Sequence, residues 1–288
     1  MSKKPVQKEE TPTTGHTWDG IQEYDNPMPR WWLWLFYATI VWGIGYTIAY
    51  PAWPGVKSAT AGMLGYSTRA EVAADIAAVD AQNEAINIRL ATADMSTLSD
   101  DAELNGYAIS AGGAVFKTWC AQCHGSGAAG AKGYPNLLDN DWLWGGDIDA
   151  ITHTVRHGVR NETGEDPRYS EMPAFGRDEL LEDAQIDQVV NFVMSLSGEA
   201  QAPELVKPGA VVFEENCASC HGETGLGDRD QGAPNLADAI WLFGGSYADI
   251  HDTVSNSRFG VMPNWDTRLT EAQIRAVSAY VHQLGGGE

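Results

Sequence analysis

Cysteine is scarce in this chain, and so is positive charge. Four of 288 residues are Cys, and 18 Lys and Arg stand against 39 Asp and Glu, for a net charge of -21. A chain so poor in cations excludes a nucleic-acid-binding surface and one that clings to anionic lipid headgroups. Long apolar runs are almost absent as well. Only one stretch is long enough to cross a hydrocarbon core, which excludes a multi-span membrane protein. Strand signals are few between residues 105 and 288, so that part is expected to be mostly helical. The length suits two small domains and an appendage.

The few cysteines are not scattered. All four fall in two copies of Cys-x-x-Cys-His, Cys120-Ala121-Gln122-Cys123-His124 and Cys217-Ala218-Ser219-Cys220-His221. That pattern is the attachment signature of c-type haem. The thiols of Cys120, Cys123, Cys217 and Cys220 would form thioethers with porphyrin vinyl groups. The imidazoles of His124 and His221 would each take an axial position on iron. On a short helix, residues at i, i+3 and i+4 share one face and can meet one flat macrocycle. Two other readings use the same pairs. A redox dithiol needs one copy and no following His, and a four-cysteine zinc site needs pairs brought together from 97 residues apart. Neither accounts for both histidines. The motifs therefore imply two covalent haems c and no free thiol.

The apolar run begins at Trp31, and no charged residue occurs from there to Val56. Trp31, Trp32 and Trp34 crowd one end, Tyr50 and Trp53 the other, as interfacial belts do. Pro51 and Pro54 would end the helix. A cleaved signal peptide or a buried core helix are the competing readings. About thirty polar residues precede the run, where a signal peptide has a short basic start, and the run exits through Tyr50-Pro51-Ala52-Trp53-Pro54, so an uncleaved, single-pass anchor is expected. Haem attachment in bacteria takes place in the periplasm, which puts the segment after the span there and the N-terminus in the cytoplasm. Lys3, Lys4, Lys8 and Arg30 before the span agree weakly with that orientation. Residues 57–288 carry -20 of the net charge, which would steer basic protein partners as well as serve solubility.

Beyond residue 105 the chain repeats itself. Gly112 and Phe116 precede the first motif as Gly209 and Phe213 precede the second. Pro135-Asn136-Leu137 recurs as Pro234-Asn235-Leu236, Trp142-Leu143-Trp144-Gly145-Gly146 as Trp241-Leu242-Phe243-Gly244-Gly245, and Met172-Pro173 as Met262-Pro263. Each repeat closes with a helical stretch, through Phe192 and through Tyr280. Gly112 and Gly209 are expected to let the first and last helices of the same repeat cross closely. The domains read as 1–30, a cytoplasmic N-terminal segment without a core of its own; 31–56, a transmembrane helix; 57–104, a linker with one amphipathic helix over 68–92; 105–198, the first haem domain; and 199–288, the second.

Each iron needs a sixth ligand or an open position. Met172 and Met262 stand in loops at matching repeat positions, which core packing does not predict, and His/Met ligation raises the potential of a c-type haem. In chain order, Met172 would serve the first motif and Met262 the second. Met194 lies among valines on a helix and reads as core. His157 is the alternative ligand at the first haem, while His153 and His251 read as partly exposed helix residues. Arg156, Arg168 and Arg258 lie near the Met loops and are candidate partners for haem propionates, with surface charge the alternative. Trp142 and Trp241 are expected to wall the haem crevices.

Taken together, the chain resembles subunit III of cbb3-type cytochrome c oxidases, the FixP or CcoP type. The most specific part of the likeness is Trp18-Asp19-Gly20-Ile21-Gln22-Glu23-Tyr24-Asp25-Asn26-Pro27-Met28-Pro29-Arg30-Trp31-Trp32 running into Tyr50-Pro51-Ala52-Trp53-Pro54, followed by the two haem motifs. The resemblance implies one N-terminal transmembrane helix and two tandem class I-like cytochrome c domains in a bacterial inner membrane. It implies an electron-transfer subunit without a catalytic site of its own. Such a subunit takes electrons from a periplasmic or tethered cytochrome c and relays them to a monohaem cytochrome c subunit. The catalytic haem b–copper subunit then reduces oxygen to water with proton pumping. A cytochrome bc complex in a supercomplex is a further partner expected of such a subunit. A dihaem peroxidase and an anchored cytochrome serving a dehydrogenase are the alternatives. The first needs an iron position open to peroxide, and the second would lack copper and b-type haem partners.

Overall fold

The structure is a computed structural model, and it describes residues 11–288. Lys3, Lys4 and Lys8 lie outside the described residues. The chain forms two compact units, one ending at Gln82 and one spanning Asn83–Glu288.

The first unit opens with a β-hairpin, β1 (Thr13–Trp18) and β2 (Ile21–Tyr24), paired antiparallel. Asp19 and Gly20 turn it with φ of 50° and 83°, the positive values that a tight two-residue hairpin demands. All its residues are exposed, so it has no core. After Pro29 comes α1 (Arg30–Ala49). Its 20 residues span about 30 Å, the thickness of a hydrocarbon core. It is apolar all round with no buried residue, the pattern of a helix whose solvent is lipid. Pro51 cannot continue it, and the loop beyond takes over its last carbonyls: Met63 N–H donates to Ile48 O at 2.9 Å and Leu64 N–H to Ala49 O at 3.0 Å. Gly62, at φ +71°, permits that approach, because a Cβ there would meet Ala49 O at 2.5 Å. Next comes α2 (Thr68–Thr92). Val72, Ile76 and Val79 are exposed in the first unit. Only its last turns, in the second unit, reach a core, where Ile86 and Leu90 pack with Met95, Leu98, Leu104 and Ala108.

The second unit is helical: α3 (Ala102–Val115), α4 (Ala121–His124), α5 (Ile148–His157), α6 (Asp183–Ser197), α7 (Val206–Asn216), α8 (Ala218–His221), α9 (Tyr247–Asn256) and α10 (Glu271–His282). Among the described residues after 25 there are isolated β-bridges but no strands. Caps mark the helix starts. Asp101 accepts from Leu104 N–H, Asp147 from Ala150 N–H, and Thr270 forms a reciprocal box with Gln273.

The glycine crossings exist, but between different partners from those expected. A Cβ on Gly112 would lie 2.0 Å from the carbonyl of Ala276 on α10, and one on Gly209 would lie 2.0 Å from the carbonyl of Gln188 on α6. So α3 of the first repeat is closed by the last helix of the second, and α7 is closed by the last helix of the first. Chain connectivity explains the exchange. Residues 198–205 join α6 to α7 by so short a path that the two fold back on each other, as sequential helices with short links do. Buried Asn191 pins that link by accepting from Ala202 N–H at 2.7 Å. With α6 taken, α3 is left for α10.

Gly112→Ala should force α3 and α10 apart and cost about 1–3 kcal/mol, the usual cost of overpacking. Gly106, on the same helix with nothing within 4 Å of an added Cβ, should tolerate alanine with a gain of about 0.5–1 kcal/mol. Thermal unfolding of the two variants checks the pair, and equal effects would contradict the crossing.

Candidate haem sites

Each motif sits where a helix runs on from its glycine crossing. The end of α3 passes through a π-helical stretch, Phe116–Cys120, into α4. Likewise α7 leads through Cys217 into α8. Phe116 and Phe213 are fully buried and pack against Tyr280 and Phe192, at ring centroids 5.4 and 5.0 Å apart. Gly125 and Gly222, with φ of 80° and 74°, then turn the chain sharply back after each histidine.

Both imidazoles are held the same way. His124 Nδ1 lies 3.0 Å from Pro135 O, and His221 Nδ1 lies 3.1 Å from Pro234 O. A carbonyl can only accept, so Nδ1 carries the proton and Nε2 keeps its lone pair free for a metal. Burial pushes both imidazoles down from their usual range, favouring the neutral, ligating form, while the carbonyl contact opposes it. Burial pushes the thiols of Cys120 and Cys217 up to about 11. Such thiols are poor redox nucleophiles at neutral pH. Among the described residues no three His, Cys, Asp or Glu side chains gather as a zinc site requires. Cys123 and Cys220 are exposed.

The methionines follow the exchanged helices. Met262 packs against the core of Phe116, Ile151, Val155 and Trp265, together with Cys120, Ala121 and Trp142. Met172 packs against the core of Phe213, Val189, Ile250 and Val254, together with Cys217, Ala218 and Trp241. The packing therefore departs from chain order: Met262 stands with the first motif and Met172 with the second. Backbone bonds tie each loop in place. Met262 and Val159 exchange hydrogen bonds of 2.9 and 3.0 Å, and Phe175 N–H donates to Val254 O at 3.0 Å. Met194 packs on the second core.

The remaining candidates are spread out. His153 Nε2 lies 3.1 Å from Asp166 O, and His251 Nε2 lies 3.6 Å from Asp187. His157 ends α5 with its buried Nδ1 unpartnered. Arg156 pairs with Glu271, and Arg258 lies 3.2 Å from Asp252. Arg168 has a buried Nε with no partner, and Trp144 has a buried Nε1 in the same condition. Trp144 was not among the candidate site residues. The one visible signal was that the repeat has Phe243 in its place. The apolar cores beside the motifs, the paired thiols and the free Nε2 atoms fit a covalent haem at each motif.

A polar cavity of about 380 Å³ opens between the loops, lined by Asp141, Trp142, Asp228, Arg229, Asn235 and Asp238. Burial, helped by Asp238 and Asp139, raises the Asp141 carboxyl from 3.8 to about 6.

The chain matches two family models. The N-terminal domain of cytochrome oxidase-cbb3, FixP, covers residues 10–57, and cytochrome c oxidase, cbb3-type, subunit III covers 108–193 and 204–281. It is 59% identical to the cbb3-type cytochrome c oxidase subunit CcoP of Cereibacter sphaeroides, over 100% of both chains. It is 52% identical to the CcoP subunit of Rhodobacter capsulatus, again over 100% of both. With the FixP subunit of Sinorhizobium medicae the identity is 49%, over 96% of this chain and 95% of that one.

The raised Asp141 carboxyl gives a pH test. Its folded state holds the proton more tightly than the unfolded chain does. Its contribution is thus fully present below about 3.8 and is lost as pH rises through about 6. Asp141→Asn should flatten that part of the stability profile and raise stability at pH 7, as read by thermal unfolding across pH. An unchanged profile would show that Asp141 does not titrate there.

The duplicated motifs, the apolar N-terminal helix and the full-length likeness agree, and the chain belongs to the family of subunit III of cbb3-type cytochrome c oxidases.

Proposed function

We propose that this chain is the dihaem electron-transfer subunit of a cbb3-type oxidase, relaying electrons from a basic cytochrome c donor to the monohaem and haem b–copper subunits. The observation that supports it best is the duplicated site, in which each imidazole is locked by a carbonyl and each motif shares its core with the methionine of a Met-Pro loop. A c-type haem at each motif would supply a one-electron iron couple. The protein's part is to bind, orient and bury it. Cys120 and Cys123 hold the first haem, with His124 and Met262 as its axial ligands. Cys217 and Cys220 hold the second, with His221 and Met172. A thioether as sixth ligand favours electron transfer over substrate chemistry, which weighs against a peroxidase. The chain then has no catalytic site of its own.

Helix α1 anchors the subunit in the bacterial inner membrane, with residues 1–30 in the cytoplasm and both haem domains in the periplasm. Its aromatic faces dock on the catalytic subunit. A periplasmic surface of such negative charge steers a basic donor, and a cytochrome bc complex in a supercomplex is a further neighbour. Nucleic acid is not a partner.

Mild-detergent purification tests the reading. Pyridine haemochrome analysis should give two covalent haems per chain, with copper and b-type haem co-purifying. One haem, or haem extracted by acid acetone, would refute it, and absence of copper would favour the dehydrogenase-linked alternative. Protease added to spheroplasts should remove the haem domains and spare an N-terminal tag.

The reversed methionine assignment makes a sharper prediction. Met262→His should lower the potential of the first haem, since imidazole is the harder donor. In a chain whose first motif is disabled by Cys120→Ala and Cys123→Ala, the same change should leave the remaining haem untouched in a redox titration. Reduction by a basic cytochrome c should slow roughly tenfold or more as salt rises from low to physiological. A salt-independent rate would contradict the steering.

A further inference from the structure

Among the described residues, three buried side-chain atoms have no hydrogen-bond partner: Trp144 Nε1, His157 Nδ1 and Arg168 Nε. They belong to one neighbourhood. The guanidinium carbon of Arg168 lies 5.7 Å from the centre of the Trp144 ring. Arg168 N–H donates at 3.0 Å to the carbonyl of Gly158, the residue that follows His157. Trp144 Nε1–H and Arg168 Nε–H can only donate, and a buried donor without an acceptor is destabilising, so the two mark an acceptor that the polypeptide does not provide, with His157 Nδ1 able to donate as well.

The matching positions of the second repeat lack this feature. Phe243 stands for Trp144 and has no N–H. Asn256 stands for His157 and donates to Asp252 at 2.7 Å. Arg258 stands for Arg168, and its Nε donates to Thr253 Oγ1 at 2.9 Å while its Nη1 lies 3.2 Å from Asp252. One repeat has closed its polar groups on itself, and the other has left them open.

The open set suits a carboxylate, which accepts from guanidinium and indole N–H together. We propose that Trp144, His157 and Arg168 form a cradle for a propionate of the second haem, although all three belong to the first repeat. This rests on the reading that the chain holds two covalent haems. The two obligate donors, Trp144 and Arg168, pick out which one, while His157 stands where the two sites meet, since Val159 bonds to Met262. The ring of Trp144 lies so close to Gly232 that a Cβ there would meet it at 2.2 Å, and Gly232 is two residues before Pro234, whose carbonyl holds His221. Arg168 is four residues before Met172, which shares a core with Cys217. The first haem has no equivalent cradle, because Phe243 offers nothing and Arg258 is engaged. Donors and positive charge beside a propionate favour the reduced haem, which carries one more negative charge than the oxidised one. The cradle therefore raises the potential of the second haem.

The test is a redox titration of the full-length, detergent-solubilised protein, resolved into two haem components. Met172→His marks the second haem. Trp144→Phe, which installs the residue of the other repeat, should lower the potential of that same haem and leave the other unchanged. Arg168→Leu should lower it too, and Arg168→Lys, which keeps the charge, should lower it less. The propionate bending mode in resonance Raman spectra should shift in Trp144→Phe, a change that loosened packing alone would not produce. A shift confined to the haem that Met172→His leaves untouched would overturn the cradle. So would Trp144→Phe and Arg168→Leu proteins that keep both haems and both potentials. Fewer than two haems in the unaltered chain would overturn the underlying reading, and this proposal with it, before any variant is compared.

Discussion

Two backbone-to-backbone contacts govern the haem-bearing unit. At Gly112 and at Gly209 one helix approaches the carbonyls of another so closely that an added Cβ would lie 2.0 Å from oxygen. No other residue type permits that approach. The same helices continue into the motifs, so the crossing points fix where Cys120 and Cys217 stand. The buried rings of Phe116 and Phe213, wedged against Tyr280 and Phe192, keep each crossing from sliding. Everything downstream, including the carbonyl that fixes each imidazole, hangs from these two points.

The exchange of closing helices follows from the same geometry. Two near-identical repeats offer two near-identical crossings, and their surfaces do not choose between partners. Loop closure does: a short link pairs its own flanking helices at the least entropic cost, and residues 198–205 are the short link. Each haem site is consequently built from both repeats. The first motif takes its methionine loop and α10 from the second repeat, and the second motif takes its methionine loop and α6 from the first. The C-terminal helix α10 thus supports the site of the first motif, about 150 residues earlier in the chain.

What the sequence made legible was local. The motif spacing, the Met-Pro loops, the charge-free run and the helix over 68–92 are all set by neighbouring residues, and periodicity reads them. The glycines and aromatics of the crossings were legible as a kind of contact, but not as particular pairs, because a duplicated pattern is degenerate as to partner. The hairpin at the N-terminus was missed: Asp19-Gly20 turns it, but with every residue exposed it had no hydrophobic pattern to reveal it. The three arginines looked alike in sequence. Telling them apart required their neighbours: Glu271 beside Arg156, Asp252 beside Arg258, and the Trp144 ring, with no ion pair among the described residues, beside Arg168.

Duplication also raises a functional question. On the function proposed above, each haem would have one imidazole, held at 3.0 or 3.1 Å from equivalent carbonyls, and one thioether, and the two would have much the same intrinsic potential. Any difference between them has to come from the surroundings. Two differences are visible, and they oppose each other. Glu214, Glu215 and Glu223 flank the second motif where Lys117, Thr118 and Ser126 flank the first, and added negative charge favours the oxidised state. The open nitrogens of Trp144 and Arg168 favour the reduced one. The glutamates are exposed, and their field is weakened by water and screened by salt. The nitrogens are buried, where the effective dielectric constant is lower and each contact counts for more. The buried set should therefore win at physiological ionic strength, and lowering the salt should narrow its advantage by strengthening the glutamates. On this argument the ordering of the two haems is a property of the loops that diverged between repeats, while the ligands that stayed the same only make both haems competent.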